Sequence, residues 1–279
     1  MDLGEYRRTS RDIWDRMAPG WDQRRDWVWE VSQSVGKWMV DRLAPQPGQT
    51  LLELAAGAGD TGFAACTRLG DDGRLISTDF SPRMVQTAQR RAAELGLKNV
   101  EFRVMDAERM DLDDDSVDGV LCRWGYMLMA DPAAALRETR RVLRDRGRLA
   151  FSVWADPKRN PWASIPAGVL VERGHIPAPE PGAPGIFAMA DPGRVQELVT
   201  GAGFAKPEIE FVVMAWTFND FDGYWEFLVR LAGGLAMTIN ALPPEEQEAV
   251  RSDVRQRLAG GQAGAGYRLA GVALNAVAS

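Results

Sequence analysis

Cysteine, histidine and surplus basic charge are all scarce in this chain of 279 residues. The two cysteines, Cys66 and Cys122, cannot build a disulfide framework and point to a reducing compartment. A single histidine, His175, with two separated cysteines leaves no zinc-ligand set. Net charge is −6, which argues against a nonspecific nucleic-acid surface. No uncharged stretch is long enough to cross a bilayer, the longest being 231–244 and 269–279. The opening residues carry no apolar signal core, so a cytoplasmic protein is expected. An acidic loop holds Asp111, Asp113, Asp114, Asp115 and Asp118. It fails the EF-hand pattern, because Ser116 stands where glycine is needed and Cys122 where glutamate is needed.

Present instead is an apolar strand that runs into a glycine-rich turn, Leu51-Leu52-Glu53-Leu54-Ala55-Ala56-Gly57-Ala58-Gly59-Asp60-Thr61-Gly62. Glycines at such a junction let the backbone approach a ligand closely. Gly57, Gly59 and Gly62 fit the spacing of a dinucleotide fingerprint. A pyrophosphate cradle gains nothing from a carboxylate four residues before its first glycine, and Glu53 is such a carboxylate. A ligand that presents a cation does gain. S-adenosylmethionine carries a sulfonium, an ammonium and no phosphate, so the loop favours a methyl donor over a dinucleotide. The alternative is an ordinary tight turn with no ligand.

From Thr50 to Trp154 the pattern alternates strand and helix, which predicts a parallel sheet with helices on both faces. Strands are expected at 50–54, 74–78, 100–104, 117–122 and 147–154, and helices at 60–69, 82–95 and 132–144. Ser81-Pro82 and Asp131-Pro132 each set a capping side chain before a proline at the first helical position. Residues 5–44 read as helical, interrupted at Pro19-Gly20 into a short and a longer helix. Seven prolines between Pro157 and Pro184, with several glycines, make 155–190 a long irregular or partly helical excursion, as lids often are. A helix capped by Asp191-Pro192, a strand at 208–218, two helices at 221–242 and 244–258, and a strand at 267–279 complete the reading. Residues 1–48 thus form a helical cap, and 49–279 a Rossmann-like domain with insertions at about 155–190 and 219–262.

In an open parallel sheet, ligands sit outside the carboxyl ends of the strands. Four successive ends offer candidates. They are the Glu53–Gly59 loop, Asp79 for the ribose hydroxyls, Asp106-Ala107 for an adenine amino group, and the Arg123-Trp124-Gly125-Tyr126 exit. Together they predict a nucleoside-type cofactor site. Nine aromatics, Trp14, Trp21, Trp27, Trp29, Trp38, Trp124, Tyr126, Trp154 and Trp162, lie in the N-terminal region or near strand ends. Some are expected to line an apolar pocket, with the 223–228 segment as another wall. His175 in the excursion reads as an exposed loop histidine or as a general base. Cys122 reads as a small strand residue.

These residues resemble those of the class I S-adenosylmethionine-dependent methyltransferases, in the branch similar to the ubiquinone/menaquinone biosynthesis C-methyltransferases. The resemblance covers about residues 10–155. The first motif matches Glu53-Leu54-Ala55-Ala56-Gly57-Ala58-Gly59, with Ala56 where many members have glycine. The ribose acid matches Asp79, followed by Ser81-Pro82 and Met84, and the adenine acid matches Asp106-Ala107. The late motif matches Leu136-Arg137-Glu138 and Gly147-Arg148-Leu149. The family's N-terminal Tyr-Asp pair appears as Trp14-Asp15 and Trp21-Asp22, without the tyrosine hydroxyl.

The resemblance implies a Rossmann-like, seven-stranded, mostly parallel sheet with a helical N-terminal cap and lid insertions. The cofactor would be S-adenosylmethionine, with S-adenosylhomocysteine as product, held by Trp21, Glu53, Ala55, Gly57, Gly59, Asp79, Phe80, Met84, Asp106, Ala107 and Arg123. Trp14, Trp124, Tyr126 and Trp154 would line the pocket of a small hydrophobic or aromatic acceptor. His175, Tyr126 and Arg123 are the candidates for a catalytic base. No metal, nucleic acid or membrane span is expected, and the chain would be a monomer or homodimer. Two other readings stay open. One is a protein of this fold that binds the cofactor without transfer, as a cyclase or binding protein. The other is an NAD(P)-dependent oxidoreductase, which would need a Tyr-x-x-x-Lys relay, whereas Ala130 follows Tyr126 at that distance.

Overall fold

The computed structural model describes residues 2–180, 182–264 and 266–279, which leaves Pro181 of the proline-rich segment outside the description. The chain opens with one long helix, α1 (Leu3–Leu43). The alternating core follows as β1 (Thr50–Leu54), α2 (Asp60–Leu69), β2 (Arg74–Asp79), α3 (Pro82–Glu94), β3 (Val100–Val104), β4 (Val117–Arg123), α4 (Pro132–Val142) and β5 (Leu143–Trp154). Then come α5 (Pro161–Glu172), α6 (Pro192–Gly201), β6 (Glu208–Phe218), α7 (Phe221–Leu231), α8 (Gly234–Ala241), α9 (Pro244–Arg257), β7 (Gln262–Ala263) and β8 (Gly266–Ala278).

The strands form one sheet in the order β3-β2-β1-β4-β5-β8-β6, with the two-residue β7 paired to β8. The first five are parallel, and β8 runs antiparallel between β5 and β6. Helices cover both faces, so β1 and β4 are fully sandwiched and read as near-continuous apolar runs. The strand order reverses between β1 and β4, which opens a crevice at their carboxyl ends. The sheet has eight strands where seven were expected. The extra one, β7, is a short hairpin arm that hydropathy alternation is too brief to reveal.

Three expectations are corrected. Pro19-Gly20 does not divide the N-terminal helix. Proline in a helix interior costs about 3 kcal/mol, but this turn is docked onto the end of α7. Trp21 Nε1 donates to the Leu231 carbonyl at 3.2 Å, and a side chain at Gly20 would strike the Arg230 carbonyl oxygen at 2.7 Å. Tertiary contact therefore outweighs the local preference. In contrast, 221–242 is not one helix. Gly233 takes φ 55°, where helix cannot continue, and α8 turns away from α7. Finally, β5 begins at Leu143 rather than 147, and its pairing with β4 shifts register between Val117 and Gly119.

The excursion is partly ordered, as expected. Asn160 pins its start: Nδ2 donates to the Ala155 and Val272 carbonyls at 3.1 Å each, and Oδ1 accepts from Val272 N at 2.9 Å. Pro161 then opens α5 at the position where a missing N–H costs nothing. The two halves of α1 bury different surfaces. Val28, Val35, Met39, Val40 and Leu43 join the main core, whereas Met17 and Ala18 pack with Met84 and Ala236 in a small separate cluster. No helix among the described residues is long and apolar enough to cross a membrane.

Two glycines make contrasting tests of this packing. At Gly62 in α2, an added methyl would collide with Glu53 Oε2 and lie 2.7 Å from Leu75 Cδ2. Gly62→Ala should lower unfolding free energy by about 1–3 kcal/mol in urea titrations. Gly168 in α5 has nothing within 4 Å of that position. Gly168→Ala should leave stability unchanged or raise it by up to about 1 kcal/mol.

Candidate functional site

The glycine loop is held from two sides by buried carboxylates. On one side Glu53, at the end of β1, accepts from Gly62 N at 2.7 Å and from Ser77 Oγ at 3.3 Å. It is therefore turned toward the first turn of α2, where free N–H groups favour negative charge. On the other side Asp79, at the end of β2, accepts from Gly57 N at 3.0 Å through one oxygen and from Ser81 N at 2.9 Å through the other. Between them the loop takes positive φ at Ala55 (49°), Gly57 (56°) and Gly59 (86°). A Cβ at Gly57 would meet nothing within 4 Å, so the backbone there borders open space.

That space is a cavity of about 490 Å³, within the usual range for small-molecule sites. Glu53, Ala55, Gly57, Asp79, Phe80, Met84, Asp106, Ala107 and Arg123 all border it, as does Trp21. Gly59 does not border it and serves the turn behind. At the third strand end, Asp106 accepts from Glu108 N at 2.9 Å. Glu108 in turn bonds Ala130 N at 2.7 Å and pairs with Arg7 of α1. Tyr6 donates to the Leu128 carbonyl at 2.9 Å. The first turns of α1 are thus clasped over this end of the cavity.

Aromatic side chains form another part of the lining. Trp124 leaves β4 with φ 60°, a strained conformation for a bulky residue that costs of order 1–3 kcal/mol. Its ring stacks on Trp154 with centroids 4.2 Å apart. Trp154 meets Trp162 at 5.0 Å, Trp162 meets Trp216 at 5.3 Å, and Trp216 meets Phe227 at 4.8 Å. All five line the cavity, with Trp14 of α1, Ile176 and Ile186 of the excursion, and Leu231, Leu235 and Thr238 of α7 and α8.

The candidate bases fall in different places. Tyr126 is fully buried in the core beneath the site, its hydroxyl 2.7 Å from Thr139 Oγ1 and its ring edge-on to Phe151, and it does not line the cavity. Burial raises its pKa well above the ordinary tyrosine value. His175 is turned away from the cavity toward α9, with Nε2 3.2 Å from Glu246 Oε2. Arg123 does border the cavity. It donates to Ser32 Oγ of α1 at 2.9 Å, its charged neighbours are Asp60 and Glu53, and its guanidinium lies over the Trp124 ring at 4.7 Å. Burial lowers its pKa, but an arginine keeps its proton at any relevant pH. Two features escaped the sequence reading. The Arg7–Glu108 clasp joins residues far apart in the chain. Trp216 sits in a strand of mixed alternation, where only a second buried neighbour, Met214, marks its inward face.

The donor set suits an adenosyl ligand that carries positive charge. Carboxylates stand at three strand ends, and the two arginines are already engaged. Nothing there resembles a phosphate cradle. Burial pushes the Glu53 carboxyl up to about 8, against the Gly62 N–H and Arg123, and pushes Asp79 up to about 6.

The family described as methyltransferase domain matches residues 45–163. The 2-phytyl-1,4-naphtoquinone methyltransferase of Trichormus variabilis is 31% identical over 146 residues, covering 50% of this chain and 62% of its own length. This chain therefore spans less than two thirds of that relative. The ubiquinone/menaquinone biosynthesis C-methyltransferase UbiE of Acidiphilium cryptum is 33% identical over 171 residues, covering 58% of this chain and 68% of its own length. The aklanonic acid methyltransferase DauC of a Streptomyces species is 31% identical, covering 54% and 68%. Among solved structures, the YcgJ protein of Bacillus subtilis aligns with TM-score 0.59 at 19% identity over 87% of this chain and 96% of its own. The cyclase SpnF aligns with TM-score 0.53 at 19% identity over 88% and 79%. These two show the fold alone.

The position of Glu53 has a consequence for stability. Its folded pKa, about 8, lies above the ordinary 4.5, so the folded state holds the extra proton between those values. Stability from this group is present below about pH 4.5 and is lost as pH rises toward 8. Glu53→Gln removes the titration while keeping an oxygen for Gly62 N. Relative to the parent, it should gain about 1–3 kcal/mol as pH rises from 5 to 8. Parallel stability curves for the two proteins across that range would contradict this assignment.

Proposed function

The chain belongs to the S-adenosylmethionine-dependent methyltransferases, and from that membership we propose that it transfers a methyl group to a small hydrophobic or aromatic acceptor. The single observation that supports this best is the make-up of one cavity's lining: acids under the glycine loop together with a run of stacked tryptophans. S-adenosylmethionine, when bound, supplies an electrophilic methyl on a sulfonium.

The chain's own residues then bind, orient and exclude water. Asp79 takes the ribose hydroxyls with the lone pairs that Gly57 N and Ser81 N leave free. Asp106 and Ala107 take the adenine edge, Phe80 and Met84 its faces. Gly57 and Ala55 offer backbone groups to the methionine end, where Glu53 offers a carboxyl oxygen and Arg123 can hold a carboxylate. Trp21 closes the same end from α1. The acceptor lies against Trp124, Trp154 and Trp14, positioned for in-line attack in a dry chamber, which suits a step that neutralises charge. Carbon and oxygen acceptors both fit this arrangement. Relatives are named for 2-phytyl-1,4-naphtoquinone, for aklanonic acid and for ubiquinone/menaquinone biosynthesis, and a quinone ring is in keeping with an aromatic wall. Cys66 and Cys122, both buried and unpaired, suit a reducing compartment, so the cytoplasm is the proposed location.

A cofactor-binding protein without transfer is the second reading, since SpnF, a cyclase, shares the fold. Calorimetry and turnover separate the possibilities. S-adenosylmethionine and its demethylated product should bind at micromolar levels and NAD(H) poorly. Asp79→Ala should weaken binding at least about tenfold, since hydrogen bonds to a charged acceptor are worth roughly 1.5–3 kcal/mol each. In the parent protein, affinity should fall as pH drops through about 6, because a protonated Asp79 loses acceptor capacity. Unaltered affinity in the variant would place the cofactor elsewhere.

A further inference from the structure

The sheet ends at β6, and the outer edge of that strand is free among the described residues. The ladder shows which main-chain groups it presents. Val272 N donates to Asn160 Oδ1 at 2.9 Å and the Val272 carbonyl accepts from Ala155 N at 3.0 Å, so Val272 faces the β5 side of β8. Directions alternate along an antiparallel ladder. Gly271, Ala273 and Asn275 therefore face β6, where their partners are Met214, Val212 and Glu210. The alternate residues of β6, Ile209, Phe211, Val213, Ala215 and Thr217, turn their N–H and C=O groups outward. Among the described residues no other main-chain group bonds them. The side chains on that row are open as well: Phe211 is 46% exposed and Val213 65%. The usual protections of a sheet edge are missing. Residues 208–218 hold no proline, lysine or glycine, and their pairing with β8 runs without a bulge. The strand's only charges, Glu208 and Glu210, sit near one end and on the other face, where Arg42 pairs with both.

We propose that this edge is the interface of a homodimer, in which β6 of two copies pairs antiparallel about a two-fold axis at Val213 and joins both sheets into one. Because only alternate residues face outward, the two strands can slide past each other only in steps of two residues. Centred on Val213, Phe211 lies opposite Ala215 of the second copy and Ile209 opposite Thr217. Each large side chain then meets a smaller one. Glu208 and Glu210 face Phe218 and Trp216, and no like charges meet. One step in one direction would set Pro207, which has no N–H, opposite Thr217. One step in the other would set Glu208 opposite Asp220, a like-charge pair across the strands. The edge is thus self-complementary in one register, as a two-fold interface requires. A strand of 11 residues is about 36 Å long. With a side-chain layer on each face, the strip offers roughly 700 Å² per copy, close to the ~800 Å² per partner of a stable interface. The same strand carries Trp216 to the cavity wall, so pairing braces that wall.

The test is the mass of the full chain by sedimentation equilibrium, at concentrations of about 1–100 μM. The parent should reach twice the 30.7 kDa of one chain at the upper concentrations. Val213→Lys sets two ammonium groups face to face at the axis and removes apolar contact from both copies. The dimer dissociation constant should then rise at least about tenfold, with the circular dichroism spectrum unchanged. Cross-linking reads the register separately. With a short bismaleimide, Val213→Cys should give a covalent dimer, whereas Glu208→Cys, about 34 Å from its counterpart, should not. Cys66 and Cys122 are buried, so the parent chain serves as the blank. A single-chain mass at every concentration would overturn the proposal and leave the edge to a different protein chain. A dimer that Val213→Lys leaves intact would also overturn it, as would cross-linking through Glu208→Cys and not Val213→Cys, since either result puts the contact elsewhere.

Discussion

A carboxylate buried at the end of the central strand, bonded to the first turn of the following helix, is the constraint around which this site is built. Glu53 reaches Gly62 N at 2.7 Å, which fixes how closely α2 approaches β1. That approach leaves no room for a side chain at position 62. It also forces the chain to leave β1 through three residues of positive φ, and Asp79 braces the resulting loop from the next strand. The loop's exposed backbone is thus positioned before any ligand arrives, which lowers the ordering cost of binding. The same carboxylate is held in an environment that raises its pKa to about 8. Strain of this kind, electrostatic and conformational, gathers at functional sites.

The second constraint is closure. A single helix serves two surfaces, with its carboxyl half packed into the sheet core and its amino half over the cavity. The clasps at Tyr6, Arg7 and Trp21 hold that amino half to three separate points of the rim. The bend at Gly233 brings α8 to the facing rim, and a Cβ at Gly233 would lie 3.4 Å from the Trp14 ring. Acceptor space is therefore enclosed by elements outside the alternating core.

How much of this was legible follows from which interactions are local. The parallel core could be read because its strands are continuous apolar runs and its helices carry caps such as Ser81-Pro82 and Asp131-Pro132, whose side chains do bond the first-turn N–H groups. The acids at strand ends could be read because the topology places every such end on one edge. Pro19 misled because its cost is local and its compensation, on Leu231 and Arg230, is more than 200 residues away in sequence. Gly233-Gly234 lies inside an apolar segment whose helical pattern masks it, although a glycine pair is itself a break signal. In the sequence Tyr126 and His175 show only their chemistry, and packing alone shows that one hydroxyl belongs to Thr139 and one imidazole to Glu246. Trp216 reaches the chamber from a strand distant in sequence, so no spacing rule could have grouped it with Trp154.

The most direct measurement is amide hydrogen exchange on the full chain with and without saturating S-adenosylhomocysteine. The account predicts added protection at the glycine loop around Gly57, at Phe80 and Ala107, and in the first turns of α1 near Tyr6 and Arg7. Saturation without protection at these backbones, or protection confined to the separate groove between Asp156 and Phe211, would contradict it.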